Sequence, residues 1–233
     1  MERYKLVIKA FKAIDNPDAC HRYVEGHMKV LRIFGITMIT SAKAEWINDP
    51  YTYVIMVESD DGEKVYGGAR IQLAGGINPL PLETAVEELE PGISKIVQEY
   101  AARGTGELCG LWNSREVAGL GIGSMYLARA AVTITEQLNM STLFALCAPS
   151  TVKNSLRIGF EIATFMGNNG TFYYPKEDLV ATTMIIPDTK TLGTTEAEER
   201  EIVMGLRQQP VQFTIDEGPR GRILEIDYKL LIE

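Results

Sequence analysis

The chain has 233 residues, and 23 Lys and Arg against 31 Asp and Glu give it a net charge of −8 at pH 7. Hydrophobic residues make up 45% of the sequence. That share is typical of a globular protein and excludes a disordered tail protein, a collagen-like repeat and a disulfide scaffold. The acidic balance argues against a protein that binds nucleic acid mainly by electrostatic attraction.

Cysteine and histidine are sparse in this sequence. Cys20, Cys109 and Cys147 have no paired spacing, a pattern that favours a reducing, cytoplasmic location. His21 and His27 are six residues apart and do not share a helix face, so we expect no metal site. No apolar run reaches the roughly 18 residues that a membrane span needs, so none is expected.

The N-terminal third predicts a strand, a helix and an antiparallel hairpin. Residues 4–14 alternate loosely between polar and apolar side chains, which indicates a strand. Residues 19–34 follow a helical period, with Asp18 as the expected helix cap. The segment 51–73 is rich in β-branched and aromatic residues around a turn at 59–62, which is typical of a hairpin.

The central segment predicts a strand–helix–strand unit. Residues 107–112 form the expected first strand, and a glycine-rich turn at 119–123 leads into a helix. Apolar or small residues recur along this helix at Gly123, Leu127, Ala130, Ile134 and Leu138. Residues 143–148 are apolar throughout, as in a strand that is covered on both faces and paired in parallel. The three elements together are typical of a βαβ unit.

The remaining pattern predicts short elements and a C-terminal extension. The expected elements are a helix opening at Pro91, a helix at 149–159, strands at 160–165 and 179–186, a helix ending near Arg207, and a strand at 224–230. The segment Thr195-Glu196-Ala197-Glu198 fits a capping box at the start of the last helix. The simplest division is one mixed domain over residues 1–187, with residues 188–233 as an extension packed on it.

The glycine-rich turn is the main chemical signal. Gly119, Gly121 and Gly123 allow the backbone to approach a ligand, and the free N–H groups of the following helix favour phosphate. A P-loop would need a lysine after Gly123, where Ser124 stands. A dinucleotide fold would need a third glycine at Ser124 and an acidic residue after the next strand, which reads Ala148-Pro149-Ser150. The diphosphate of coenzyme A is the third ligand compatible with such a turn.

The turn resembles the motif of the GNAT (GCN5-related) N-acyltransferase superfamily, Arg/Gln-x-x-Gly-x-Gly/Ala. Gly121 and Gly123 match the two small positions of the motif, whereas Ala118 occupies the Arg/Gln position. Arg115, three residues earlier, is the candidate to replace the missing Arg or Gln side chain. The later segment 154–160 resembles the family helix that ends in Gly-Phe, but Ser155 stands where the family often has its general-acid tyrosine.

The resemblance implies a mixed α/β fold with a mostly antiparallel sheet, splayed between two central parallel strands and flanked by helices. It implies acetyl-CoA or acyl-CoA as co-substrate, no metal, and a backbone N–H near a bulge at Gly110 as the oxyanion donor. It also implies Ser155 as a catalytic residue. The cofactor-binding residues that it implies are Leu111, Trp112, Asn113, Gly119, Leu120, Gly121, Ile122, Gly123, Ser124 and Asn154.

A finer resemblance is to the acyl-homoserine lactone synthases and the related N-acyl amino acid synthases. It rests on the segments 48–54, 61–62, 68–71 and Glu107-Leu108. Those synthases follow Glu-Leu with Ser-Arg-Phe, whereas this chain continues with Cys109-Gly110-Leu111. The resemblance implies acyl carrier protein as an alternative donor and an amino-acid-like amine as acceptor.

Two charged residues are candidates for the chemistry. Glu107 is the candidate base, and the alternative is an exposed carboxylate at a strand end. Arg70 is the candidate ligand of a substrate carboxylate, and the alternative is a surface salt bridge. The acidic, proline-containing connection 74–90 is where the family places acceptor-binding segments. The sequence thus predicts an N-acyltransferase acting on a small amine, with a non-catalytic acyl-CoA-binding protein as the other class and a homo-oligomer as a possible assembly.

Overall fold

A computed structural model describes residues 3–33, 35, 44–117, 122–218 and 221–232. Its strands are β1 (Arg3–Lys12), β2 (Thr52–Ser59), β3 (Val65–Leu73), β4 (Gly106–Asn113), β5 (Leu143–Cys147), β6 (Glu161–Ile162), β7 (Thr171–Tyr173), β8 (Val180–Ile186), β9 (Val211–Gly218) and β10 (Arg222–Lys229). Its α-helices are α1 (Pro17–Ile33), α2 (Pro81–Val86), α3 (Ile93–Ala101), α4 (Ser124–Ile134), α5 (Pro149–Arg157) and α6 (Ala197–Gln208). Within these ranges, no helix is both long and apolar enough to cross a bilayer.

All ten strands belong to one mixed sheet. Their order is β6-β8-β5-β4-β3-β2-β1-β10-β9, and β7 also pairs with β8. The pairs β1–β10 and β4–β5 are parallel, and the other pairs are antiparallel. The strands β4 and β5 are paired only through Glu107 and Phe144, so they separate beyond that point. The predicted mixed sheet with two splayed parallel strands is confirmed.

Helices cover both faces of the sheet and divide its core. Along β2, Ile55 and Val57 pack on the side of α4 and α6, whereas Val54 and Met56 pack on the side of α1. This division follows from the two-residue period of a strand, which sends successive side chains to opposite faces. The helices α2 and α3 lie on the α1 side and enclose a third cluster around Phe144.

Two predicted helix starts are wrong by a few residues. The first turn of α1 is capped by Asn16, whose Oδ1 accepts the N–H of Ala19 at 3.1 Å, and Asp18 lies inside the helix. Pro17 explains the shift, because proline lacks the N–H that the first helical position leaves unbonded. The helix expected at Pro91 begins at Ile93.

The predicted capping box is also wrong. Glu196, and not Thr195, occupies the N-cap position of α6, and its side chain makes no capping hydrogen bond. The hydroxyl of Thr195 instead donates to the carbonyl of Ile158 at 3.1 Å. Other segments also differ from the prediction. The connection 74–90 contains α2, the strand expected at 160–165 is reduced to β6, and the helix expected to reach Leu138 ends at Ile134. The strands β7 and β9 were not predicted.

The C-terminal residues extend the same sheet. The strand β10 lies parallel to β1, and β9 lies antiparallel to β10 at the edge. The helix α6 joins α4 through Arg129, whose Nε and Nη2 donate to the carboxylate of Glu199 at 2.6 and 3.0 Å. The division at residue 187 stays a prediction.

Candidate functional site

The strand β4 carries a bulge at the point where it leaves β5. Its register with β3 shifts, so that Cys109 is opposite Arg70 and Trp112 is opposite Gly68. Two residues of β4 therefore lie opposite one residue of β3, and one of the two is Gly110 with a φ of +59°. Glycine adopts this left-handed conformation without the steric cost that a Cβ would bring. The expected bulge at Gly110 is present.

A tyrosine on α1 holds the bulge. The hydroxyl of Tyr23 donates a hydrogen bond to the carbonyl of Gly110. Tyr23 is fully buried and makes edge contacts with the rings of Trp46 and Trp112, with centroids 5.5 and 6.0 Å apart. Because a side chain on Gly110 would collide with the Tyr23 hydroxyl, the glycine is required here by both its conformation and its neighbour.

Glu107 is buried at the start of the splay. Its side chain is only 2% exposed, and its Oε2 accepts the N–H of Leu82 at 2.7 Å. Burial raises the pKa of Glu107 to about 8, with the Leu82 hydrogen bond and Arg70 lowering the pKa and Glu83 raising it. The alternative of an exposed carboxylate at a strand end is excluded. A carboxyl group with this pKa can accept and release a proton near neutral pH.

Arg70 lies on the same sheet face as Glu107. It is 1% exposed, its Nε donates to the Sγ of Cys109 at 3.2 Å, and its guanidinium lies 4.7 Å from the ring centroid of Trp46. The alternative of a surface salt bridge is therefore wrong. Burial raises the pKa of the Cys109 thiol to about 12, so Cys109 is a neutral thiol beside the arginine.

The connection 74–90 covers this face of the sheet. Besides the bond from Leu82 to Glu107, the amide of Gln72 on β3 donates to the carbonyl of Pro79 at 2.8 Å. These two contacts attach α2 and the preceding loop to the strands that carry Arg70 and Glu107. The segment thus forms one wall of the candidate site.

The start of α4 lies next to α5. Gly123 is the N-cap of α4, and the Nδ2 of Asn154 on α5 donates to the Oγ of Ser124 at 2.7 Å. Among the residues that the structure describes, no atom lies within 4 Å of a Cβ placed on Gly123, so packing against them does not require a glycine at this position. The structure thus brings together Gly123, Ser124 and Asn154, and it places Ile122 in the core. The predicted residues Gly119, Leu120 and Gly121 lie outside the described residues.

Ser155 contacts a cysteine at the end of β5. Its Oγ lies 3.4 Å from the Sγ of Cys147, and burial raises the pKa of that thiol. Cys147 belongs to the core on the α4 side, whereas Cys109 lies with Arg70 on the α1 side. The two cysteines therefore occupy opposite faces of the sheet.

Three predicted cofactor-binding residues, Leu111, Trp112 and Asn113, lie at the end of β4 and differ in exposure. Trp112 is buried, and its ring fills the space next to Gly26, where a Cβ would overlap it. Its side chain therefore belongs to the core, which leaves its backbone as the part that a ligand can contact. Leu111 and Asn113 are half-buried.

Sequence reasoning missed the support provided by α1. Tyr23 lies within the predicted helix 19–34, and no signal in the sequence connects it with β4. His27, one helical turn later, is buried, and its pKa is lowered to about 4 by burial and by Arg70, so it is neutral. Among the described residues, no group of three or more His, Cys, Asp or Glu side chains could hold a metal ion.

The fold is found in solved structures at low sequence identity. FeeM, an N-acyl amino acid synthase from uncultured soil microbes, has a TM-score of 0.61 and 14% identity over 84% of this chain and 97% of that chain. The AHL synthase LasI has a TM-score of 0.56 and 14% identity over 81% of this chain and 92% of that chain. BjaI, a CoA-dependent acyl-homoserine lactone synthase, has a TM-score of 0.52 and 12% identity over 97% of this chain and 95% of that chain.

No protein-family model matches the sequence, and no curated protein matches it either. At 12–14% identity, the similarity to these solved structures shows that the fold is shared. The mixed sheet, the separation of β4 from β5 and the helix that connects them agree with that similarity. This chain has the fold of the GNAT-like acyltransferases.

Proposed function

We propose that this protein is an N-acyltransferase that moves an acetyl or longer acyl group from coenzyme A to an amine. The observation that carries the proposal is the splay of β4 from β5 directly after a buried Glu107, next to a bulge at Gly110. A gap between two strands admits an extended ligand that bonds to the strand backbone. The buried carboxyl group supplies a base at the same point.

The donor would occupy the gap and the start of α4. In this arrangement the pantetheine arm lies along residues 111–113 of β4. The diphosphate lies at the N-terminus of α4, where the N–H groups and the dipole of a helix favour an anion. The bond from Asn154 to Ser124 holds α5 against the start of α4 and keeps one wall of the site in place.

The reaction would be a direct attack of the amine on the thioester carbonyl. Glu107 takes a proton from the ammonium group, the amine nitrogen forms a bond to the carbonyl carbon, and the C–S bond breaks. A backbone N–H at the bulge stabilises the oxyanion. The thiolate leaves and takes a proton from Ser155, our candidate donor close to the end of β5. Ser155 recovers its proton from the amine nitrogen, which loses its second proton as the amide forms.

Arg70 favours an acceptor that carries a carboxylate. It lies on the face of Glu107 under the connection 74–90, and guanidinium groups bind carboxylates in a bidentate manner. An amino-acid-like amine would then place its carboxylate at Arg70 and its amine at Glu107. The second candidate function is transfer to such an amine from acyl carrier protein, the donor that the sequence resemblance to the acyl-homoserine lactone synthases implies. The similar fold of FeeM, an N-acyl amino acid synthase, supports an amino-acid-like acceptor. In both cases residues 1–187 would form the catalytic unit.

Calorimetry and a thiol-release assay test the proposal. We expect coenzyme A, acetyl-CoA or a long-chain acyl-CoA to bind, and thiol release to depend on an added amine. The Asn154→Ala variant should weaken donor binding, whereas Ser150→Ala, exposed on the same helix, should not. Binding without amine-dependent thiol release would support a non-catalytic binding protein. Turnover with acyl carrier protein, but not with coenzyme A thioesters, would support the second candidate.

The Glu107→Gln variant tests the base. We expect its turnover to fall while donor affinity is unchanged, because glutamine keeps the shape of the side chain but cannot accept the proton. The matched control is Glu99→Gln, exposed on α3. Full activity of Glu107→Gln would remove Glu107 from the mechanism.

A further inference from the structure

The two edges of the sheet are built differently. One edge is β6, which has only two residues, and a short edge strand is a common protection against pairing with another chain. The other edge is β9, which has eight residues and pairs with β10 in the described part of the chain. Its sequence contains no lysine, arginine or proline, the residues that usually protect a long edge.

The edge strand also carries an exposed apolar stripe. Val211, Phe213 and Ile215 lie on one face of β9 and are 52%, 60% and 61% exposed. Single exposed apolar residues need no explanation, but three in alternation on a long edge strand without lysine, arginine or proline indicate an interaction site. The opposite face of β9 is half-buried and lies on the α6 side, and no described element packs on the stripe or on the free edge of the strand.

The stripe is one strand wide. On β10, the neighbours of the stripe are polar: Ile215 is opposite Glu225, and Phe213 is opposite Asp227. A broad apolar surface, as a membrane or a helix face would need, is therefore not present on these two strands. The partner that fits is another strand that pairs with the edge and adds its own apolar stripe.

We infer that this partner is the β9 of a second copy of the chain, paired antiparallel to form a twofold dimer. A twofold axis perpendicular to the sheet at Thr214 places Phe213 opposite the partner's Ile215. It also places Val211 opposite the partner's Glu217. The two stripes then form one ribbon, with Phe213 and Ile215 of both copies as its apolar centre, because such an axis keeps the same face of both strands on the same side of the sheet.

The charges of β9 favour this arrangement over a parallel one. Asp216 and Glu217 are the charged residues of the strand, and both lie near its C-terminal end. In the antiparallel pair, Asp216 is opposite the partner's Gln212. The two Asp216 side chains are then four residues apart along the strands, or about 14 Å, which exceeds the Debye length of about 8 Å in physiological salt. Parallel pairing would place the acidic residues of the two copies side by side.

Sedimentation velocity over a concentration series tests the dimer. A contact between two eight-residue strands is smaller than the standard interface of about 1,600 Å², so we expect a dissociation constant in the micromolar range. The double variant Phe213→Lys/Ile215→Lys should be monomeric at every concentration, with an unchanged circular dichroism spectrum. The matched control is Tyr173→Lys, because Tyr173 is 68% exposed on β7, and it should still dimerise.

Cross-linking provides a test that does not depend on a destabilising charge. The double variant Phe213→Cys/Ile215→Cys should form a disulfide-linked dimer on mild oxidation. It should do so faster than either single variant, because position 213 of one copy lies opposite position 215 of the other. The native cysteines are buried and give little background. A wild-type chain that stays monomeric throughout, or a double-lysine variant that is folded and still dimeric, would overturn the proposal. Neither result depends on acyltransferase activity.

Discussion

The burial of Glu107 predicts a pH-dependent difference in stability between the protein and its Glu107→Gln variant. Burial raises the pKa of Glu107 in the folded protein from its ordinary value of 4.5 to about 8. The unfolded chain releases this proton near its ordinary pKa, so between the two values the folded state binds more protons. The free energy of unfolding must then fall as the pH rises. Glutamine does not titrate and lacks this effect.

The magnitude follows from the two pKa values. Between pH 5 and pH 9, the folded carboxyl holds its proton over about three pH units in which the unfolded one has lost it. At about 1.36 kcal/mol per unit, the wild-type protein should lose about 4 kcal/mol of stability relative to the variant over this range. Most of this loss should occur below pH 8, where the folded carboxyl is still largely protonated.

Urea unfolding of both proteins at several pH values measures the difference. The variant should retain the bond from the N–H of Leu82, because the side-chain carbonyl of glutamine can accept it as the carboxyl does. The control Glu99→Gln should follow the wild type at every pH. If the stabilities of Glu107→Gln and the wild type change in parallel from pH 5 to pH 9, Glu107 titrates normally and the reasoning from burial is refuted.

Three further predictions concern the bulge and the contact between α4 and α6. Tyr23→Phe leaves the carbonyl of Gly110 without its donor and should cost about 1–3 kcal/mol in urea unfolding. If the bulge positions the oxyanion donor, this variant should also lower kcat without changing KM for the donor, and an unchanged kcat would separate Tyr23 from catalysis. Gly110→Ala should be destabilising by about 1–3 kcal/mol because of the positive φ, even in the Tyr23→Phe background where the collision is relieved. Arg129→Met should cost about 3 kcal/mol in thermal unfolding, because it takes one of two arginine partners from the fully buried Glu199; a loss below 1 kcal/mol would show that Arg157 alone is sufficient.

Elements with a strong local pattern were predicted well. The stripe Leu127, Ala130 and Ile134 of α4 lies in the core, and the apolar run 143–147 is β5, because both patterns depend on residues close in the chain. The helix starts were less accurate, because the choice between Asn16 and Asp18 depends on which side chain reaches a free N–H group. The missed strand β9 did carry a signal, the alternation of Val211, Phe213 and Ile215 with polar residues.

For the candidate site, the sequence determined the residue types and their places on the strands. It placed Glu107 and Cys109 at alternate positions of β4, put glycine where the strand bulges, and put small residues at the start of α4. Only the tertiary structure decided that α2 and α1 cover this face, which buries Glu107 and Arg70 and ties Tyr23 to the bulge. The physical reason is that strand alternation tells which side chains share a face, whereas desolvation, and with it the pKa of Glu107, depends on elements distant in the chain that pack against that face.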